Sequence, residues 1–318
     1  MYKNLSEPIL ITGTTGFIGS NLLRKLVLQK KYTDIHIIIR KKSSLWRIND
    51  IKKNCKIHIL DLTQEKKIRK VIKNIKPKTI FHLSTYGAYA HQNHLNEIKK
   101  NILDATINLL NECLKYKFKI FINTGSNSEY GFKKKKMKEI DILEPNSYYS
   151  IFKAATTHYC QFMASKSKLK IITLRPFHIY GPYEERTRLI PTIIDNLLSH
   201  RSPRLVDPLI SRDMIYVDEV VDLYIKIASK PYNNNDILNI GSGNQYNIKK
   251  IFETISKLLK SNVVPDWNTM KNRDWDQNIW ISDINKLKKQ YKWKQKISLK
   301  EGLRRTISWH KNYYFESC

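Results

Sequence analysis

The chain has 318 residues, 41% of them hydrophobic, and carries 57 Lys+Arg against 28 Asp+Glu for a formal net charge of +29. That length suits one large α/β unit or two lobes sharing a sheet, and the composition can fill a core. The charge alone would suit a nucleic acid, an anionic membrane face or a phosphate-bearing small ligand. However, the lysines are scattered, no helix-turn-helix, RNA-binding aromatic or zinc-finger pattern accompanies them, and no stretch reaches the roughly 18 apolar residues of a membrane span.

The first half alternates short β-branched runs with amphipathic stretches. In chain order the pattern predicts a strand at Ile9–Thr12, a helix over Phe17–Gln29, strands at Ile35–Ile39 and Lys56–Leu60, and a helix over Gln64–Ile75. A strand at Thr79–Leu83, a helix over Ile98–Lys115, a strand at Lys119–Asn123, a helix over Tyr148–Ser165 and a strand at Lys170–Leu174 follow. Strand and helix in alternation predict a parallel sheet covered on both faces, a Rossmann-type doubly wound α/β fold. "RPFHIYGPYEE" (Arg175–Glu185) breaks the rhythm with two prolines and a glycine. Beyond it come a helix near Leu189–Leu198, the stretch "YVDEVVDLYIKIA", a strand in "DILNIG", and helical patterns at Ile248–Lys260 and Leu299–Tyr313. The expected organisation is an NAD(P)-binding domain over 1–175, rejoined by roughly 211–242, and a smaller C-terminal α/β lobe from 176–210 and 243–318 that binds substrate.

Three features carry chemistry by residue type and spacing. The turn "TGTTGFIG" places Gly13, Gly16 and Gly19 between the first strand and the first helix. Gly13 permits the tight turn, Gly16 lets a pyrophosphate approach the backbone, and Gly19 removes a side chain where helix meets sheet. Tyr149 and Lys153 are four apart and share a helix face, whereas Tyr148 points away from it. A phenol ionises near pH ~10, and an adjacent ammonium favours its phenolate, so the pair can exchange a proton near neutrality. Finally, about 20 residues past the glycines, where NAD-binding folds carry an acid for the ribose 2′-hydroxyl, stand Arg40, Lys41, Lys42, Ser43 and Ser44. Arg40 beside serine hydroxyls suits a 2′-phosphate, so NADP(H) is favoured and NAD(H) is the alternative.

The GxxGxxG spacing resembles that of the extended short-chain dehydrogenases/reductases, in particular the NAD-dependent epimerase/dehydratase family that modifies nucleotide sugars. "ILDLT", "IFHLST", "YYSIFK", "SRDMIYVDEVV" and "ISDINKLKKQYKWK" are similar to further segments of that family and extend the likeness over nearly the whole chain. Where the last element carries a glycine in the family, this chain has Tyr291-Lys292-Trp293. The resemblance implies cofactor contacts from Gly13, Gly16, Phe17, Ile18, Gly19, Asp61, Leu62, Leu83, Tyr149, Lys153 and Pro176, with Asp61 at the adenine. It implies that Ser126, four residues before Tyr130-Gly131, holds the substrate oxygen, and a slide of one residue puts Asn127 in that slot. Related dehydratases carry Asp-Glu after this hydroxyl residue. Asn127 and Ser128 stand there instead, with Glu129 displaced by one, which speaks against a 4,6-dehydratase. Arg212 and Arg273 are implied at the nucleotide diphosphate, and Tyr86 or Tyr89 in the sugar pocket. His178, where many relatives have Asn, is similar to the CDP-abequose/paratose synthase type of 4-ketoreductase.

The leading expectation is an NAD(P)-dependent oxidoreductase acting at C4 of a nucleotide-diphosphate sugar as a 4-ketoreductase, with Ser126, Tyr149 and Lys153 catalytic. A 4-epimerase uses the same residues and is the alternative. A non-catalytic NAD(P)-binding module is an alternative of another class. Neither nucleic acid nor membrane is expected as a partner, and the run Lys133 to Lys136 reads as a solvated loop. Cys55, Cys113, Cys160 and Cys318 lie far apart with no CxxC, so neither a metal site nor a disulfide framework is expected. Free thiols and a start that runs directly into a strand suit the cytoplasm. Family members dimerise through a helix bundle, and the apolar spacing of Ile98–Leu114 permits a homodimer.

Overall fold

Short, mostly buried β-branched runs build the central sheet of this computed structural model, which describes residues 5–30, 32–89, 92–270 and 279–314. Strand β1 (Ile9–Thr12) leads into helix α1 (Phe17–Arg24), followed by β2 (Ile35–Ile39), β3 (Lys56–Ile59), α2 (Glu65–Ile75) and β4 (Thr79–His82). Then come α3 (Leu95–Lys99), α4 (Ala105–Leu114), β5 (Ile120–Thr124), α5 (Tyr148–Ser167), β6 (Ile171–Pro176) and β7 (His178–Tyr180). The chain continues through α6 (Leu189–Leu198), β8 (Ser211–Tyr216), α7 (Val217–Ser229), β9 (Ile237–Ile240) and β10 (Gln245–Asn247). It closes with α8 (Ile248–Leu259), α9 (Asn285–Tyr291) and α10 (Leu299–Tyr314).

Seven strands form a parallel sheet in the order β3-β2-β1-β4-β5-β6-β9. The first six follow the Rossmann order, in which the sequence reverses direction between β1 and β4 and leaves a crevice at their carboxyl ends. Ile68 and Ile72 of α2, Leu109 and Leu110 of α4 and Cys160 of α5 pack with Leu10, Ile80 and Phe121 of the sheet. The inner strands are buried on both faces because helices cover both, whereas the edge strand β3 is largely exposed.

By its contacts the chain divides into two compact units: Met1–Gly131, Ile142–Pro176 and Val221–Leu238 form the first, and Phe132–Asp141, Phe177–Val220 and Asn239–Cys318 the second. The second holds a three-stranded sheet, β10-β8-β7, antiparallel between β10 and β8 and parallel between β8 and β7. Its core joins Ile190, Ile193 and Ile194 of α6 with Ile251 and Ile255 of α8 and Leu303 of α10.

Three differences from the sequence reading have physical causes. The expected helix Phe17–Gln29 becomes a π-turn over Lys25–Gln29, and the expected Ile98–Lys115 starts earlier, at Leu95, with a π-turn at Lys100–Asp104. Apolar spacing does not distinguish such a wider turn from an α-turn. The small strands β7 and β10 have three residues each, too few for alternation to show. Helix α9 has seven residues, four of them Lys or Gln, and offers little periodicity.

Candidate active site

The glycine turn is closed by backbone contact. Gly13 has φ +74°, and a Cβ there would lie 2.5 Å from the carbonyl carbon of Leu83, just past β4. A Cβ on Gly19 would overlap the Gly13 carbonyl oxygen, so only glycine lets α1 stack on the turn. The Gly16 amide donates to the Gly13 carbonyl over 3.0 Å, and Gly16 begins α1 without any side-chain cap. The first-turn amides beside Phe17 and Ile18 therefore present a helix N-terminus bare of side-chain acceptors, an arrangement that suits a phosphate.

Below this turn, His82 is fully buried between two threonines. Its Nδ1 lies 2.7 Å from Thr12 Oγ1 and its Nε2 2.9 Å from Thr106 Oγ1. Thr106 gives its hydrogen to the Ile102 carbonyl, so it accepts from His82 Nε2–H. Nδ1 is then the acceptor for the Thr12 hydroxyl, whose oxygen takes the Ser84 amide hydrogen. Burial, reinforced by Lys153, pushes the His82 pKa down to about 3, so the ring is neutral.

Lys153 ties α5, which also carries Tyr149, to the end of β5, two residues before Ser126. Ser147 and Ser150 cap α5 reciprocally, which fixes the turn that carries Tyr149. Tyr148 is 52% exposed, whereas Tyr149 is half-buried. Lys153 is 3% exposed, and its Nζ lies 5.8 Å from the Tyr149 ring centre. Nζ donates to the Thr124 carbonyl over 2.8 Å, two residues before Ser126. Burial brings the Lys153 ammonium down to about 8 against the opposing pull of Glu129 and Cys160.

Ser126 caps the short turn Asn127–Tyr130. Its Oγ accepts the Ser128 amide at 3.1 Å and lies 2.8 Å from Ser128 Oγ. The neighbouring Asn127 Nδ2 is buried and has no partner among the described residues. Glu129 is fully buried: Oε1 accepts the Ser126 amide at 2.7 Å, and Oε2 accepts Arg175 Nε at 2.8 Å and Thr157 Oγ1 at 2.9 Å. Burial opposes the Arg175 charge, but Glu129 and Tyr130 outweigh it and hold the guanidinium pKa above its ordinary value.

Of the other expected cofactor residues, Leu83 abuts Gly13, Leu62 is buried and Pro176 ends β6. One Asp61 carboxylate oxygen accepts the Thr63 amide at 2.8 Å. Arg40 follows β2 and is exposed; its guanidinium makes no hydrogen bond or ion pair among the described residues, while its amide donates to Ser43 Oγ at 3.1 Å. Tyr86 is half-buried in the segment after β4.

The remaining candidates belong to the second unit. His178 on β7 packs edge-on against Trp280, with ring centres 5.9 Å apart, and its buried Nδ1 has no partner among the described residues. Burial first, then Arg212 and Arg188, hold it well below the usual imidazole range, so it too is neutral. Arg212 Nη1 donates to the Ser211 carbonyl over 2.8 Å. Arg273 lies outside the described residues. Spacing alone did not single out Thr124, Tyr224, His82 or the Glu129–Arg175 pair. For Thr124, Tyr224, His82 and Arg175 the common signal is a polar side chain inside an otherwise apolar strand or helix, which needs a buried partner; Glu129, in the polar turn Asn127–Tyr130, gives no such signal.

Sheet order and the glycine turn define a Rossmann-type α/β protein. More narrowly, residues 9–241 match the model of the NAD dependent epimerase/dehydratase family, and the chain belongs to that family. It is an enzyme of the extended short-chain dehydrogenase/reductase type. Over 316 residues it is 28% identical to a dTDP-4-dehydro-6-deoxyglucose reductase of Escherichia coli, covering 94% of this chain and 96% of that one. It is 25% identical to the CDP-abequose synthase of Salmonella muenchen, covering 96% and 98%. Among solved structures, the UDP-N-acetylglucosamine 4-epimerase of Methanobrevibacter ruminantium, in complex with UDP-N-acetylmuramic acid, matches with a TM-score of 0.86 at 26% identity over 98% of this chain and 99% of that one.

Proposed function

We propose that this enzyme reduces the C4 ketone of a nucleotide-activated hexose. The observation that carries the reading is the buried Lys153 ammonium, tied to the end of β5 beside Ser126 and 5.8 Å from the Tyr149 ring. The residues present fit a nicotinamide dinucleotide, since Gly13 and Gly19 let the turn close tightly on Leu83 and on its own backbone, and no side chain caps the N-terminus of α1. When bound, the nicotinamide supplies the hydride. Tyr149 donates its phenolic proton to the oxygen on C4 as that oxygen becomes an alkoxide. Lys153 stabilises the phenolate left behind and is within the chemistry of ribose hydroxyls. Ser126 Oγ, 2.8 Å from Ser128 Oγ, donates its hydrogen to the substrate oxygen, and Asn127 Nδ2 is a further donor with no partner among the described residues.

Glu129 is an argument against water loss. Its two oxygens take three buried donors, one of them a guanidinium, so the carboxylate has no oxygen without a protein donor for acid–base work on a sugar. We assign neutral His178, Arg212 and, outside the described residues, Arg273 to the nucleotide-diphosphate sugar, and Tyr86 to the sugar. The unpaired Arg40 guanidinium beside Ser43 supports NADP(H) over NAD(H). Cytoplasmic location fits the free thiols of Cys55, Cys113 and Cys160, and no helix among the described residues is long and apolar enough to cross a membrane. Exposed Tyr148, Ile151 and Phe162 on α5 and Leu95 on α3 support a homodimer.

The likeness to a solved 4-epimerase favours epimerisation at C4 as the second reading. The two separate on cofactor handling. Purified enzyme is incubated with NADPH and CDP-, dTDP- or UDP-4-keto-6-deoxyhexoses while nicotinamide absorbance is followed. A reductase consumes NADPH with turnover, and Tyr149→Phe lowers kcat by about 100-fold or more. Sugar inversion with retained cofactor and no net consumption would establish the epimerase and displace the reductase.

A further inference from the structure

We propose that Tyr224 is a positioning residue of the active site, holding Thr124 so that the Thr124 carbonyl fixes the Lys153 ammonium beside Tyr149. The inference rests on the proposed function for the roles of Tyr149 and Lys153. Tyr224 lies on α7, is fully buried, and donates its hydroxyl to Thr124 Oγ1 over 3.1 Å. A phenylalanine would fill the same space without burying a polar group, so the hydroxyl has value only through its bond. Thr124 is the last residue of β5 and joins two groups at once. Its side chain takes Tyr224, and its main chain takes Lys153 Nζ over 2.8 Å. Among the described residues that carbonyl is the only hydrogen-bond acceptor of Nζ. A buried ammonium with one protein acceptor depends on where that acceptor stands. Two residues further on, the same strand end carries Ser126.

The titratable groups around the pair come from several elements. Tyr224 faces Tyr149 from α7, His82 faces Lys153 from β4, and Glu129 faces Lys153 from the turn after β5. His82 is neutral, and Glu129 is bound by Arg175. Burial pushes the Tyr224 phenol up, with a charge on Tyr149 pushing the same way, so Tyr224 remains a neutral donor. Its influence on Tyr149 then runs through Thr124 and Lys153.

The test uses NADP+ as the only ligand and reads tyrosine ionisation by ultraviolet difference absorbance across a pH titration. Wild-type protein should show one phenolate transition below the others, absent in Tyr149→Phe. Tyr224→Phe should raise that transition by about half a pH unit or more. Thr124→Val, which keeps the carbonyl and loses the side-chain acceptor, should raise it equally. The double variant should add nothing, because both changes break one bond. If Tyr224→Phe does not fold, Thr124→Val carries the same expectation. An unmoved transition in the folded variants overturns the role of Tyr224 and leaves the proposed function standing. A wild-type protein with no such transition overturns both.

Discussion

Glu129 in the first unit and Asp213 in the second are both fully buried carboxylates, yet they are satisfied by different chemistry. Glu129 has a cation among its partners, Arg175, which is itself only 1% exposed. Asp213, on β8, has neutral donors: the amide and hydroxyl of Ser242 at 2.7 and 2.6 Å, the Gly243 amide at 3.1 Å, and the amide and hydroxyl of Ser282. Glu129 ties the turn after β5 to α5 and β6, and Asp213 ties β8 to distant loops. The difference is in what is left behind when the acid is removed. Without Glu129 a buried guanidinium loses its counter-charge, whereas without Asp213 several dipoles lose an acceptor.

The largest expected effect follows directly. Glu129→Leu should destabilise the protein by about 3 to 5 kcal/mol in urea denaturation, and Glu129→Leu combined with Arg175→Met should recover part of that loss. Asp213→Asn keeps one acceptor oxygen and should cost about 1 to 3 kcal/mol. If Asp213→Asn proves the costlier change, the contrast between ion-paired and dipole-paired acids is wrong.

His82 extends the contrast to a base that is buried neutral. Its folded pKa of about 3 lies below the ordinary imidazole value of 6.5, so the unfolded chain binds the proton more readily. This contribution to stability is full above pH ~6.5 and is lost as pH falls toward ~3, amounting to about 2 kcal/mol lost by pH 5. His82→Gln retains a donor toward Thr106, and should be less stable at neutral pH and lack that acid dependence when denaturation is repeated across pH. The smallest expected effect is at the surface. Arg40→Ala should leave stability unchanged and weaken NADP+ relative to NAD+ by about tenfold, about 1.4 kcal/mol. An unchanged ratio in equilibrium binding would remove Arg40 from cofactor choice.

The parts of the molecule that sequence makes legible are those set by local geometry. Gly13 and Gly19 announce themselves because one needs φ +74° and the other a close backbone approach. Tyr149 and Lys153 do so because helical spacing puts them on one face. Strand β1, strand β2 and α6 have the bounds their apolar patterns predict. What sequence hides is pairing at long range. Nothing local to Glu129 says that its partner is Arg175, 46 residues away, and nothing in "YIKIA" says that Tyr224 bonds Thr124 across 100 residues. Ser126 shows both sides of this limit: its position is visible, but its hydroxyl also caps the following turn, which only the three-dimensional arrangement reveals.

The central claim is that Tyr149 delivers a proton next to a nicotinamide anchored on the Gly13–Gly19 turn. A crystal structure of the enzyme with NADP+ tests it most directly. The account expects the pyrophosphate against the first-turn amides of α1 and the reactive nicotinamide carbon within about 4 Å of the site where Tyr149 and Ser126 would grip the substrate oxygen. A nicotinamide bound well away from the Tyr149 hydroxyl, or a pyrophosphate seated elsewhere, would contradict it.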